Sequence, residues 1–133
     1  MLDAPSVAAN PESLEDRTER FALDVIKLIR EFPNREPALN IARQLSKSAT
    51  SVGANYRASR RARSHAEFTA RIGIVAEEAD ETIYWLQLVA KAGISNATEL
   101  TGVTQEAREL TAIFSAMVRT ARQNERRAKH PGG

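Results

Sequence analysis

A chain of 133 residues, 42% apolar and 27% charged, has room for one domain built around one core. No apolar run approaches the ~20 residues of a membrane span, and the first residues lack the basic and apolar regions of a signal peptide. Without cysteine there are no disulfides, no thiol catalysis and no thiolate metal sites; the formal net charge of +2 is too small by itself to mark a nucleic-acid partner, and a cytoplasmic location is expected.

Residues 1 to 12 carry Pro5 and Pro11 and no apolar period, which predicts a mobile leader. Ser13 then reads as an N-cap, with Glu15 and Asp16 placed well against the helix dipole. Phe21, Val25, Leu28 and Phe32 recur at helical spacing, predicting a first helix from Leu14 to Glu31 or Phe32, stopped by Pro33-Asn34. A second helix should start at Pro37 or Ala38, with Ile41, Leu45, Ala49, Val52 and Tyr56 as its apolar stripe. It is rich in small residues, and Gly53 in its interior costs about 1 kcal/mol relative to alanine. Close approach by a neighbouring helix would explain that glycine.

Arg60 to Arg63 form a turn, after which Ser64 and Glu67 make a capping box for a third helix. Its stripe is Phe68, Ile72, Val75, Ala79, Ile83, Leu86 and Val89 or Ala90, and Gly93 stands where a C′ glycine is expected. Ile74, Tyr84, Trp85 and Leu88 widen the apolar arc beyond one stripe, so a second surface should cover it. Leu100, Val103, Ala107, Leu110, Phe114, Met117 and Ala121 give a fourth helix from about Thr98 to Gln123. Residues 124–133 read as a disordered basic tail. The expected organisation is a leader (1–12), an all-α, up-down-up-down antiparallel four-helix bundle (13–123) and that tail.

Charge is polarised along the chain. Arg43, Lys47, Arg57, Arg60, Arg61, Arg63 and Arg71 face only Glu67 in the same interval, and Arg119, Arg122, Arg126, Arg127 and Lys129 face only Glu125. Glu77, Glu78, Asp80 and Glu81 form an acidic zone with helical spacing. A di-metal carboxylate bundle would need Glu-x-x-His motifs on two helices, and the only histidines, His65 and His130, have no such partners. No metal, cofactor or enzymatic activity is expected.

The runs Thr50-Ser-Val-Gly-Ala-Asn-Tyr-Arg-Ala58, Arg61-Ala-Arg-Ser-His-Ala-Glu-Phe68 and Gly73-Ile-Val-Ala-Glu-Glu-Ala-Asp-Glu-Thr-Ile-Tyr-Trp-Leu86 resemble, in order, the four-helix-bundle family of proteins encoded in ribosomal RNA intervening sequences. The accessory variability protein of diversity-generating retroelements is a relative of that family. The likeness spans about Leu14 to Arg122, and after Asn55 the common family form has Ile-Ala-Glu-Gly where this chain has Tyr56-Arg57-Ala58-Ser59. The resemblance implies a non-enzymatic bundle assembled as a homo-oligomeric ring, a pentamer. In the retroelement relative it also implies basic surface turned to nucleic acid and a docked partner protein.

These readings give three sets of candidate residues. Arg57, Arg60, Arg61 and Arg63 would hold RNA or DNA phosphates, since guanidinium forks suit phosphate oxygens; the alternative is a solvated turn making intersubunit salt bridges. Asn55, Glu78 and Glu81 would form a structural polar core, with Asn55 bonded to either glutamate or to a backbone group. Tyr84, Trp85 and Leu88 would serve the core or an oligomer interface. The partners expected are further copies of the chain, with RNA or DNA and a neighbouring-gene protein as candidates and no membrane. The competing function is a protein-docking module that binds no nucleic acid.

Overall fold

The computed structural model describes residues 11–129, so the expected leader lies outside the described residues up to residue 10. Four helices follow in order: α1 (Leu14–Ile29), α2 (Ala38–Ser59), α3 (His65–Lys91) and α4 (Glu99–Lys129). Each packs on its neighbour in the chain, α1 also closes on α4, and the diagonal pairs α1/α3 and α2/α4 make no close backbone approach among the described residues. That is a four-helix bundle, with no strand among the described residues. No helix is long and apolar enough to cross a membrane among the residues described.

The helix ends follow the sequence signals closely. Ser13 caps α1 by accepting from the Asp16 N–H at 3.1 Å. The helix stops at Ile29, short of the expected Phe32, and relaxes through single turns that bond the Glu31 and Phe32 amides to Leu28 and Ile29. Pro33 explains this, because the residue before a proline is pushed out of the helical region. Pro37 is the N-cap of α2 and not its first residue. Ser64 caps α3 through the Glu67 amide at 3.0 Å, but the Glu67 carboxylate turns to Arg71, so only half of the capping box forms. At the other end of α3, Gly93 has φ +68°, and the amides of Gly93 and Ile94 return to the carbonyls of Ala90 and Val89. This is the Schellman closure that glycine permits.

The core is built from the expected stripes: Phe21 and Val25 of α1, Leu45, Ala49 and Val52 of α2, Ile72, Val75, Ala79, Leu86 and Val89 of α3, and Ala107, Leu110 and Phe114 of α4, all with no exposure. Two positions are exchanged. Thr82 takes the buried place expected of Ile83, and Val118 that expected of Met117, leaving Ile83 and Met117 partly buried. Spacings of three and four both continue a helical stripe, and here the packing selects the neighbour that fits.

Small residues in α2 let helices approach closely. A Cβ on Gly53 would lie 3.1 Å from Thr18 Oγ1 of α1, and Thr18 is fully buried with its hydroxyl bonded to the Leu14 carbonyl at 2.8 Å. On the other side of α2, the Ser48 and Thr82 hydroxyls meet at 2.9 Å with neither exposed. Each also has a backbone acceptor, Leu45 O for Ser48 and Glu78 O for Thr82. Losing one partner of a buried hydrogen-bonded pair costs roughly 1–2 kcal/mol, whereas replacing both by apolar groups of similar shape is nearly neutral. Urea unfolding of Ser48→Ala, Thr82→Val and the double variant should therefore show a double variant well short of the sum of the singles. Simple additivity would mean that the two hydroxyls do not interact.

A candidate nucleic-acid interface at the basic end

The alternating direction of the helices brings the start of α1, the end of α2, the start of α3 and the end of α4 to one end of the bundle. Three contacts tie this end together. Arg60 Nη1 of the α2–α3 turn meets Glu15 Oε1 at 2.7 Å, the His65 Nε2 atom lies 2.9 Å from the Ala121 carbonyl oxygen, and the Tyr56 and Phe114 rings pack with centroids 5.4 Å apart.

The α4 helix does not stop where the apolar stripe ends. It passes Gln123 and continues to Lys129, so the first six residues of the expected tail are helical; residues 130–133 lie outside the described residues. The segment Asn124-Glu-Arg-Arg-Ala-Lys129 needs no apolar face to stay helical, because it consists largely of good helix formers and its cations sit at the negative end of the dipole. Beyond Ala121, which is level with the start of α3, α4 adds eight residues, or about 12 Å of helix.

Two basic zones far apart in sequence thereby share one end. Arg57, Arg61 and Arg63 are exposed, as are Arg122, Arg126, Arg127 and Lys129. Among the described residues none of these makes an ion pair. Arg60, the remaining member of the expected cluster, is engaged by Glu15. Two nearby acids are likewise occupied, Glu12 by Arg20, whose hydrogen bond holds its carboxyl below the usual range, and Glu67 by Arg71, whereas Asp16 and Glu19 line a shallow pocket with Arg57 and make no ion pair among the described residues. Arg43 lies outside this end and pairs with Glu36 at the start of α2.

Of the partners expected for Asn55, the backbone group is the one found: the half-buried amide donates to the Ser51 carbonyl of its own helix at 2.9 Å, and neither Glu78 nor Glu81 bonds it. Glu81 is exposed and accepts from Trp85 Nε1 at 3.2 Å. The buried polar positions are Thr18, Ser48, Ser59, Thr69 and Thr82, whose short hydroxyls reach carbonyls within their own helices. A carboxylate buried beside Asn55 would have no comparable partner.

Glu78 is partly buried, and desolvation raises its pKa, with Glu81 and Glu77 adding to the rise and Lys47 opposing it. A carboxyl raised above its unfolded value stabilises the fold in its protonated form. That contribution is complete below the unfolded pKa and is lost as pH rises through the folded one. Glu78→Gln should thus melt higher than the parent at pH 7, with the advantage shrinking toward pH 4. An equal advantage at both pH values would trace the gain to packing.

Of the residues expected at an oligomer interface, Tyr84 is outward-facing at 54% exposure, while Trp85 and Leu88 are partly buried. Tyr84 and Trp85 form an edge-to-face pair with centroids 5.0 Å apart, and Ile74, 41% exposed, extends the same outward side of α3. Among the described residues no group of three His, Asp or Glu side chains is placed to hold a metal ion.

The profile of the 23S rRNA-intervening sequence protein family matches residues 14–116. Among solved structures, the chain is similar to a protein of unknown function from the S23 ribosomal protein family of Bacteroides thetaiotaomicron. The two share 25% identity with a TM-score of 0.73, over 80% of this chain and 98% of the other. No curated protein matches the chain.

Proposed function

This chain belongs to the 23S rRNA-intervening sequence protein family, and on that footing we propose that it is a non-enzymatic, homo-oligomeric scaffold whose basic end binds the phosphate backbone of nucleic acid. The observation that carries the reading is the convergence of unpaired arginines from the α2–α3 corner with the projecting end of α4. Exposed arginine forks suit phosphate oxygens and attract them over a Debye length. The exposed Ile74 and Tyr84 side chains on the outer side of α3 support self-association. The five-fold ring follows from the family resemblance, and repetition of a weak patch around a ring raises its avidity. No cofactor is part of this reading, and the cytoplasm is the proposed location.

The family name and the ribosomal family of the structural neighbour make a structured ribosomal RNA fragment the first probe. It should be titrated beside duplex DNA at two salt concentrations, with sedimentation in the same buffer. Salt-sensitive binding by an oligomer supports the proposal. A clean monomer at micromolar concentration removes the ring. An intact oligomer that binds neither nucleic acid at low salt favours the second reading, a protein-docking module, for which the exposed Ile74 and Tyr84 side of α3 is the supporting observation.

A further inference from the structure

The basic end also contains a slot that no sequence motif announces. Arg17 of α1 reaches Glu106 at 2.7 Å and Glu109 at 2.9 Å, so the first turns of α1 sit against the second and third turns of α4. On α4, Met117 and Asn124 follow Glu106 by eleven and seven further residues and so share its face. Glu106 has α1 to pair with, whereas Met117, Thr120 and Asn124 lie beyond the point where α1 begins. There the start of α3 leans in, with the His65 ring on the Ala121 carbonyl and 6.3 Å from the Phe68 ring.

The result is an open slot of about 310 Å³ whose walls include His65, Phe68, Met117, Thr120 and Asn124. Phe68 and Met117 are partly buried and pack on the core, so these walls are fixed by the fold, while Thr120 and Asn124 are exposed at the rim. Tyr56, the aromatic nearest the arginines in sequence, is committed to Phe114 and takes no part.

What surrounds the slot selects its occupant. Arg61 and Arg63 lie four and two residues before His65, and Arg127 lies three residues after Asn124 and seven after Thr120, on the same face of α4. All three are exposed and, among the described residues, without an ion pair. A flat apolar cleft with an amide and a hydroxyl at its rim and cations on two sides fits an aromatic ring joined to a phosphate backbone. We infer that the slot receives an unpaired base of single-stranded nucleic acid, inserted between the His65–Phe68 wall and Met117, while Arg61, Arg63 and Arg127 hold the flanking phosphates. A paired base in a duplex could not enter. The inference rests on the phosphate-binding reading above and adds the class of nucleic acid that this end prefers.

The test compares a ten-nucleotide single-stranded RNA with its abasic ribose-phosphate counterpart of equal charge, by fluorescence anisotropy. Stacking of a base on an aromatic wall predicts about tenfold tighter binding of the intact strand, with the same salt dependence for both. Ala116→Trp, an exposed position lining the slot, fills it without touching the core; it should reduce the intact strand to the abasic affinity and leave the thermal melt unchanged. Equal, salt-sensitive affinity for both strands would overturn the slot and leave the arginine end standing. Failure of both strands to bind at low salt would overturn the slot and the arginine end together. If Ala116→Trp altered sedimentation and not binding, the slot would be a contact between copies of the chain, and the inference would fall.

Discussion

Alanine at Arg57, Arg61 and Arg63 together should lower affinity for duplex RNA or DNA on the order of 10²-fold near 0.1 M salt. Each phosphate contact contributes up to about 0.9 to the slope of log K against log salt, so the slope should flatten by about 2–3. These three are chosen because they are exposed and free of ion pairs among the described residues. Arg60 is withheld because its removal would also release Glu15 and add an uncompensated acid to the same surface. Arg43→Ala serves as the control, since that residue is remote from this end and paired with Glu36. A triple variant with the parent's salt slope would exclude the α2–α3 corner as the phosphate surface. An equal loss from Arg43→Ala would reduce the effect to net charge.

Phe114→Ala should destabilise the bundle by about 3–5 kcal/mol, read as a lower urea midpoint with an unchanged m value. Phe114 has no exposure and lies where α2, α3 and α4 converge below the start of α1. Truncation leaves a cavity that rigid helices fill poorly, and it removes the tilted contact with Tyr56, itself worth about 0.5–1.5 kcal/mol. Domains of this kind have only about 5–15 kcal/mol in total, so a fifth or more of the stability is at stake. Phe114→Leu, which keeps most of the volume, should lose much less. A cost below about 1 kcal/mol for the alanine variant would contradict the packing described at this end.

Much of this architecture is readable from spacing. Ser13, Ser64 and Gly93 announce their helix ends because caps are local chemistry, satisfied within four or five residues. The long-range choices are less visible. Periodicity allows either Thr82 or Ile83, and either Met117 or Val118, to continue its stripe; the facing helix decides between them. Gly53 signals a close approach, but nothing nearby names Thr18, thirty-five positions earlier, as the group that approaches. The acidic run 77–81 suggested carboxylates for a polar core, whereas the core uses threonines and serines that can return their proton to their own helix. The basic residues were legible as two separate runs. Their union depends on α4 outrunning its apolar stripe, which helix propensity permits and hydrophobic periodicity cannot report.

The way α1 is held has a further consequence. It is the shortest helix, at 16 residues, and much of its hold on α4 is ionic, through Arg17 and Arg20 to Glu106 and Glu109. Above those pairs the two helices part into an open groove of about 940 Å³ between Phe21, Leu28 and Val103. α1 adds Phe21, Val25 and Leu28 to the apolar interior, whereas α2, α3 and α4 are joined more extensively around Val52, Val75 and Leu110. Proteins open in cooperative units whose free energies follow local burial, and the helix expected to open first here is α1. Amide hydrogen exchange should then report a partial unfolding that leaves α2, α3 and α4 together. That remainder would keep the α2–α3 corner and the whole of α4, and with them the arginine surface.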